Sequence, residues 1–382
     1  MRGSEVAESL RAGGRTQGQD AGRTQHLPRA SCLLFPASCF LPPASYRRIK
    51  LPLPIDQKIR AAVIGAGAFG RNHARVYRQL EQEGAGVELT AIVDTDAARA
   101  AAVSREFGNP PCLLLSDLRG RVDAASVVVP TVEHLKVARV LMEAGIDVLI
   151  EKPLAPSLAE ADEIVRVAER TGRVAQVGHL ERFNPAVRAT VPLLTKPMFF
   201  EVHRLSVFTP RSLDIDVILD LMIHDLDIVL SFASSPVKEI RAVGLPILTP
   251  RVDIANVRME FESGCVANFT ASRVSTERVR KLRFFQSQQY ISIDYSRQDV
   301  MVFTVDPSAA AKASPNPGIG MQKPPVVSEE PLHAELGSFL DAVRHRKRPQ
   351  VPLADGRRAL AVALDVLGEI REHNRRVGLA DL

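Results

Sequence analysis

From Lys58 onward the chain alternates short apolar runs with stretches that are apolar on one face only. Ile59–Ile64 is an apolar run that stops at Gly65, as a buried strand does on entering a turn. A helical pattern extends from the following turn to about Gln82, and a second strand, Val87–Val93, is closed by Asp94. This is one βαβ unit, and parallel pairing of its strands demands a right-handed crossover. The alternation continues with a helix over Ala97–Phe107, a strand over Ala124–Val129 and a helix over Glu133–Ala144. A strand over Val148–Ile150, a helix over Leu158–Thr171 and a strand over Val174–Val177 complete it. Such a series predicts a doubly wound parallel sheet.

After Gly178 the period changes. Strand-like runs at Phe199–Ser206, Asn256–Phe261, Val266–Ala271, Arg283–Phe285 and Ile291–Tyr295 follow one another with one long helical pattern, Ile215–Phe232, between them. That pattern predicts a mostly antiparallel sheet. Residues 306–331 carry six prolines and read as an irregular surface loop, and helices return at Leu332–Arg344 and Asp355–Asn374. The expected fold class is therefore α/β: an N-terminal Rossmann domain, 58–178, then an α/β domain, 179–382, with an open, mostly antiparallel sheet and C-terminal helices. Residues 1–57 lack either period and read as a disordered extension.

Composition places this body in the soluble globular class, with 46% hydrophobic and 24% charged residues in 382. The formal charge of +5 sits wholly in the first 58 residues, which hold nine basic and four acidic side chains. The neutral remainder offers no long-range field for nucleic acid. Cys32, Cys39, Cys112 and Cys265 have neither disulfide-framework nor metal-ligand spacing, so no metal is expected. The uncharged stretch Ala30–Tyr46 is broken by three prolines and makes neither a membrane helix nor a good signal peptide, which leaves a cytoplasmic location expected.

Three motifs carry chemistry. Gly65-Ala66-Gly67-Ala68-Phe69-Gly70 lies between a predicted strand and a predicted helix, with Asp94 24 residues after Gly70. Gly65 suits a tight turn, Gly67 the close approach of a pyrophosphate, Gly70 the packing of helix on strand; the helix N-terminus then faces the phosphates. A glycine-rich turn that binds nothing is the plainer reading, and the strand–turn–helix setting weighs against it. Asp94 would accept hydrogen bonds from ribose hydroxyls and repel a 2′-phosphate; no arginine directly follows it, so NAD is expected rather than NADP. Glu151-Lys152-Pro153 ends a later strand, at the edge where such sheets place their ligands. On the helix, Asp216, Asp220, His224 and Asp227 recur at steps of four, four and three and form one polar stripe, either a solvated face or the wall of a wet cavity. The Asp220–His224 spacing would let a carboxylate orient an imidazole acting as general base, or form a structural pair.

Together these motifs resemble the glucose–fructose oxidoreductase/inositol dehydrogenase (Gfo/Idh/MocA) family of NAD(P)-dependent sugar dehydrogenases. The resemblance spans about 58–375 through Val63–Gly70, the strand end at Val127–Thr131 followed by His134, Glu151-Lys152-Pro153, and Asp220 with His224. It implies that Lys152, Asp220 and His224 surround the reacting carbinol. It also implies that Gly65, Gly67, Ala68, Phe69, Gly70, Asp94, Pro130, Thr131, His134 and Glu151 hold the cofactor. One departure is Val217-Ile218-Leu219, where the family often has glycines. The segments Val177–Pro185 and Thr270–Ser275 look like the branch acting on nucleotide sugars, which implies oxidation of UDP-N-acetylglucosamine at its 3-hydroxyl, feeding a PLP aminotransferase in amino-sugar or lipid A synthesis. His179, Arg182, Phe183, Asn184, Arg204 and Arg273 would then contact substrate, since guanidinium forks suit a diphosphate. Arg278 and Arg280 read equally well as decoration of a strand edge. A homo-oligomer built on the second sheet is expected. Other sugars or cyclitols (a UDP-uronate, inositol, a free hexose) and a non-catalytic NAD-binding regulator are the competing readings.

Overall fold

In the computed structural model the described residues are 57–108, 111–112, 114–209, 215–306 and 318–379, with backbone alone at 111–112. The expectations for residues 1–56, which include Cys32 and Cys39, lie outside them. The first sheet has six parallel strands in the order β3-β2-β1-β4-β5-β6: β1 Ile59–Ile64, β2 Val87–Val93, β3 Pro111–Cys112, β4 Ala124–Val127, β5 Asp147–Glu151 and β6 Ala175–Gly178. Helices α1 (Ala68–Gln82), α2 (Ala97–Phe107), α3 (His134–Glu143) and α4 (Leu158–Thr171) connect them. Every residue of β4 and β5 is buried, and apart from Asp147 and Glu151 at the two ends of β5 these strands are continuously apolar or small rather than alternating. The strand order reverses between β1 and β4, which leaves a crevice at their carboxyl ends.

The second sheet has eight strands in the order β14-β13-β12-β11-β7-β10-β9-β8. They are β7 Phe199–Leu205, β8 Val237–Leu245, β9 Ile254–Phe261, β10 Val266–Ser272, β11 Val279–Gln286, β12 Gln289–Asp294, β13 Asp299–Asp306 and β14 Gly318–Gln322. All pair antiparallel except β7 with β10, so the expected sheet is present with one parallel step. Alternate residues of β7, namely Phe200, Val202 and Arg204, face a core shared with helix α6 (Ile223–Ala233). Three strands were missed. β8 and β13 are edge-ward strands with weak contrast, and β14 lies inside the stretch read as irregular loop, where Gly318–Gln322 pairs with β13 as an edge strand.

Helices α7 (Pro331–His345) and α8 (Leu353–Arg376) return over both layers. Sequence order puts them with the second domain, but Leu332, Leu336, Phe339 and Val343 of α7 share a core with Ile59, Tyr77 and Leu89 of the first layer. Arg344 donates to the Gly86 carbonyl at 2.6 Å, and Arg346 pairs with the buried Asp147 at 2.5 Å. α8 spans both: Leu360 joins the first layer's core, while Val366 and Ile370 join the second's.

Candidate active site

The glycine turn is fixed by sterics. Gly65 has φ +103°, and a Cβ there would sit 2.2 Å from the Val128 carbonyl oxygen; a Cβ on Gly70 would sit 1.8 Å from the Gly65 carbonyl oxygen. A Cβ on Gly67 meets nothing within 4 Å, so the loop is locked at two glycines and open over the third. Gly67 caps α1 without any side-chain hydrogen bond, leaving first-turn amides for an anion. This donor set fits a dinucleotide pyrophosphate. Asp94 accepts from the Ala66 amide at 2.7 Å and the Asp96 amide at 2.8 Å, so it clamps the turn as well as facing the crevice. No arginine follows Asp94 directly, yet the fold brings Arg99 back: its guanidinium pairs with Asp96 at 3.0 Å and lies 4.0 Å from Asp94. Ala68 opens α1, and Phe69, 39% exposed, stands edge-on to the His73 ring.

Across the crevice, Pro130 is exposed and Thr131 begins a 3-10 turn over Thr131–Glu133. Two residues expected to hold cofactor also brace the sheet edge. His134 is buried, with Nδ1 3.1 Å from the Pro153 carbonyl and Nε2 3.0 Å from that of Val129, so it ties the end of β4 to the turn after β5. Glu151 is buried against His73 Nε2 at 3.2 Å and accepts from the Lys152 amide at 3.3 Å. The Lys152–Pro153 peptide is cis.

Lys152 leaves this strand end towards the second layer. Its ammonium donates to the Asp220 carbonyl at 2.7 Å and lies 3.4 Å from the Asp220 carboxylate. The expected i, i+4 orientation of His224 by Asp220 is not what the fold builds. Residues Ile218–Met222 form a π-turn before α6, which rotates the stripe so that Asp220 meets Lys152. Asp216, also read on this stripe, precedes the π-turn and accepts the Val252 amide at 2.9 Å. His224 is part-buried with Nδ1 sealed and unpartnered, so exchange with a ligand falls to Nε2. Burial, then the charges of Lys152 and Arg204, then His179 and Arg280, hold its pKa well below the ordinary imidazole value. The ring is thus neutral at neutral pH. His179 is 1% exposed with both ring nitrogens unpartnered, and burial lowers its pKa too.

The arginines expected on substrate are committed internally. Arg182 forks onto Asp227 at 2.6 and 2.9 Å and reaches Asp355 at 3.4 Å. Arg204, 4% exposed, forks onto Asp225 at 2.5 and 3.0 Å and onto Glu181 at 3.1 Å. Arg273, 5% exposed, pairs with Asp253 at 3.5 Å and donates to the Ile215 carbonyl. Phe183 is core, and Asn184 caps helix α5 (Pro185–Thr190) through the Ala186 amide while donating to Glu181 and the Tyr295 carbonyl. A buried charge left without a partner is costly, and these pairings offset that cost within the protein. Of the five polar residues among the six expected on substrate, His179 alone has no side-chain hydrogen bond among the described residues, and its ring is close enough to Lys152 and His224 to act electrostatically with them. Sequence reading missed Glu335, which interrupts the apolar face of α7 between Leu332 and Phe339; a lone acid at helical spacing within such a face was the available signal.

A mononucleotide-type crevice with an anion-ready helix start, facing a Lys–Asp pair and a neutral imidazole, defines a dinucleotide-dependent oxidoreductase. Residues 59–179 match the family model described as the oxidoreductase family, NAD-binding Rossmann fold, and 199–292 match the GFO/IDH/MocA C-terminal domain. The chain is 36% identical over 309 residues to UDP-N-acetylglucosamine 3-dehydrogenase of Acidithiobacillus ferrooxidans, covering 81% of this chain and 96% of that one. A solved structure of that enzyme superposes with TM-score 0.76 over 82% of this chain and 98% of its own, at 34% identity. The scyllo-inositol 2-dehydrogenase (NAD(+)) of Bacillus subtilis is 29% identical over 58% of this chain and 69% of its own. The chain belongs to the Gfo/Idh/MocA oxidoreductase family, and it is an NAD-dependent dehydrogenase.

Proposed function

We propose that this chain oxidises the 3-hydroxyl of UDP-N-acetylglucosamine, giving the 3-keto nucleotide sugar. The observation that carries this reading is the pairing of Lys152 with Asp220 beside a neutral His224, in a chain 36% identical to a UDP-N-acetylglucosamine 3-dehydrogenase along almost all of that enzyme. NAD, when bound, supplies the hydride acceptor. His224 Nε2 takes the hydroxyl proton as the C–H hydride leaves and the C=O bond forms. Lys152, kept in place by Asp220, puts an ammonium against the developing alkoxide. Pro130 and Thr131 line the nicotinamide side of the crevice, and the Asp94 carboxylate disfavours a 2′-phosphate. NAD is therefore preferred to NADP, although Arg99 stands at the same edge.

A 3-keto nucleotide sugar is an electrophilic ketone, so a PLP aminotransferase is the natural consuming reaction, and amino-sugar or lipid A synthesis in the cytoplasm the setting. The outer face of the second sheet carries a ladder of Phe199, Phe285, Tyr290 and Phe303 with ring centroids 4.9–5.7 Å apart, and we assign it to contact with a second copy. Among the described residues no helix is long and apolar enough to cross a membrane.

The test is NADH formation with UDP-N-acetylglucosamine, other UDP-sugars, a UDP-uronate, inositol and free hexoses, each with NAD and with NADP. Turnover with UDP-N-acetylglucosamine and NAD well above the rest is expected. Preferential turnover of inositol, after which several relatives of this chain are named, would replace the nucleotide-sugar reading with a cyclitol one.

A further inference from the structure

Among the described residues, the cations around the Lys152–His224 cluster are balanced by carboxylates except for Arg280 and its neighbour Arg278. Lys152 has Asp220, Arg182 has Asp227 and Asp355, Arg204 has Asp225 and Glu181, and Arg273 has Asp253. Arg280 on β11 is exposed, and among the described residues no carboxylate pairs with it.

Its place in the fold points it at the site. Arg280 stands directly opposite Arg204 in the β7–β11 ladder and, by strand alternation, on the same inward face as Leu282 and Phe284. Phe284 meets Phe232 of α6 at 5.9 Å. From that contact His224 lies eight residues back along the helix, about 12 Å. Arg280 lies four residues back along the strand, about 14 Å. Arg204, directly opposite Arg280, and Arg280 itself both act on the His224 ring, which puts Arg280 at the His224 end of the layer. Desolvation and the charge of Arg204 act against the Arg280 cation, the Glu181 and Asp225 carboxylates favour it without pairing with it, and Arg278 opposes it again, with a net lowering of its pKa. Like charges directly opposite in a sheet are unfavourable; Asp225 and Glu181, held in ion pairs by Arg204, relieve part of that repulsion, and an anion bound at the Arg280 fork would add to the relief.

We infer that Arg280, backed by Arg278, is the binding site for the diphosphate of the nucleotide-sugar substrate, one sugar ring away from the Lys152–His224 cluster. This rests on the nucleotide-sugar reading above. It assigns the recognition of anionic charge to a residue that the buried arginines leave as the free fork. A guanidinium offers two parallel donors to phosphate oxygens, whereas lysine offers a point charge.

Calorimetry of UDP binding to the NAD-saturated full chain tests it with wild type, Arg280→Gln and Arg280→Lys. Wild type should bind UDP, Arg280→Gln should bind it about 10–100-fold more weakly, and Arg280→Lys should fall between, because charge-assisted hydrogen bonds are lost in turn. NAD affinity and melting temperature should not change, since Arg280 is exposed and unpaired. KM for UDP-N-acetylglucosamine should rise more than kcat falls. Equal UDP affinity in wild type and Arg280→Gln would overturn the assignment while leaving the nucleotide-sugar reading standing. Absence of UDP binding to wild type would overturn that reading and the assignment with it.

Discussion

Replacing Glu335 by Gln should stabilise the protein, and by an amount that grows with pH. Glu335 is fully buried on α7, and neither carboxylate oxygen has a hydrogen-bond partner. Around it stand Glu151 from β5, His73 and Tyr77 from α1, and Gln176 from β6, whose amide donates to the Glu335 backbone carbonyl at 3.4 Å. Burial raises its pKa well above the ordinary glutamate value, and the Glu151 charge pushes the same way. A raised carboxyl pKa means that the folded chain keeps a proton which the unfolded chain has released. The associated stability is fully present below the unfolded value, near 4.5, and is lost as pH rises towards the folded value. Within that window one proton corresponds to about 1.4 kcal/mol per pH unit. Glutamine has nearly the same shape and carries no charge, so it removes the slope. For a chain of this size the gap in melting temperature should widen by about 2–4 °C per pH unit. Thermal melts of both proteins from mildly acidic to mildly alkaline pH measure it. Parallel curves, or a gap that widens towards acid, would refute the assignment of a protonated, partnerless Glu335.

Further perturbations separate binding, catalysis and folding. Gly67→Ala should melt like wild type but bind NAD far more weakly, whereas Gly70→Ala should lower the melting temperature itself, because its Cβ meets backbone rather than open space. His224→Ala should lower kcat by about 10²–10⁴-fold with NAD affinity intact; a lower melting temperature with unchanged turnover would make His224 a core residue instead. Asp220→Asn keeps the backbone carbonyl that Lys152 donates to but removes the carboxylate charge 3.4 Å from its ammonium, so its defect should be partial and should vanish in a Lys152→Met background, which double-mutant kinetics would reveal. Arg204→Met leaves Asp225 and Glu181 buried without their cation and should cost about 3–5 kcal/mol in denaturant melts; a loss below 1 kcal/mol would show that water reaches the pair.

Local pattern sufficed for the first layer. The apolar runs of β1, β2, β4 and β5, the glycines between β1 and α1, and the helical periods of α2 and α4 are short-range signals, and they place Gly65–Gly70, Asp94 and Lys152 on one edge of a parallel sheet. Strand β3, two residues long and opening with proline, and β14, inside a proline-rich stretch, have no such signal; they exist because a neighbouring strand supplies their hydrogen bonds. Residue type marked the arginines as anion ligands, but partner choice depends on carboxylates 20 to 173 positions away, as in Arg273 with Asp253 and Arg182 with Asp355. A helical wheel paired Asp220 with His224 because it assumes 3.6 residues per turn, and the π-turn at Ile218–Met222 breaks that assumption. Sequence alone therefore determined which chemistry the chain carries and where along it the cofactor turn falls. Only the tertiary structure decided which charges are neutralised inside and which, such as Arg280, have no carboxylate paired with them among the described residues, because that balance is set by contacts between residues far apart in the chain.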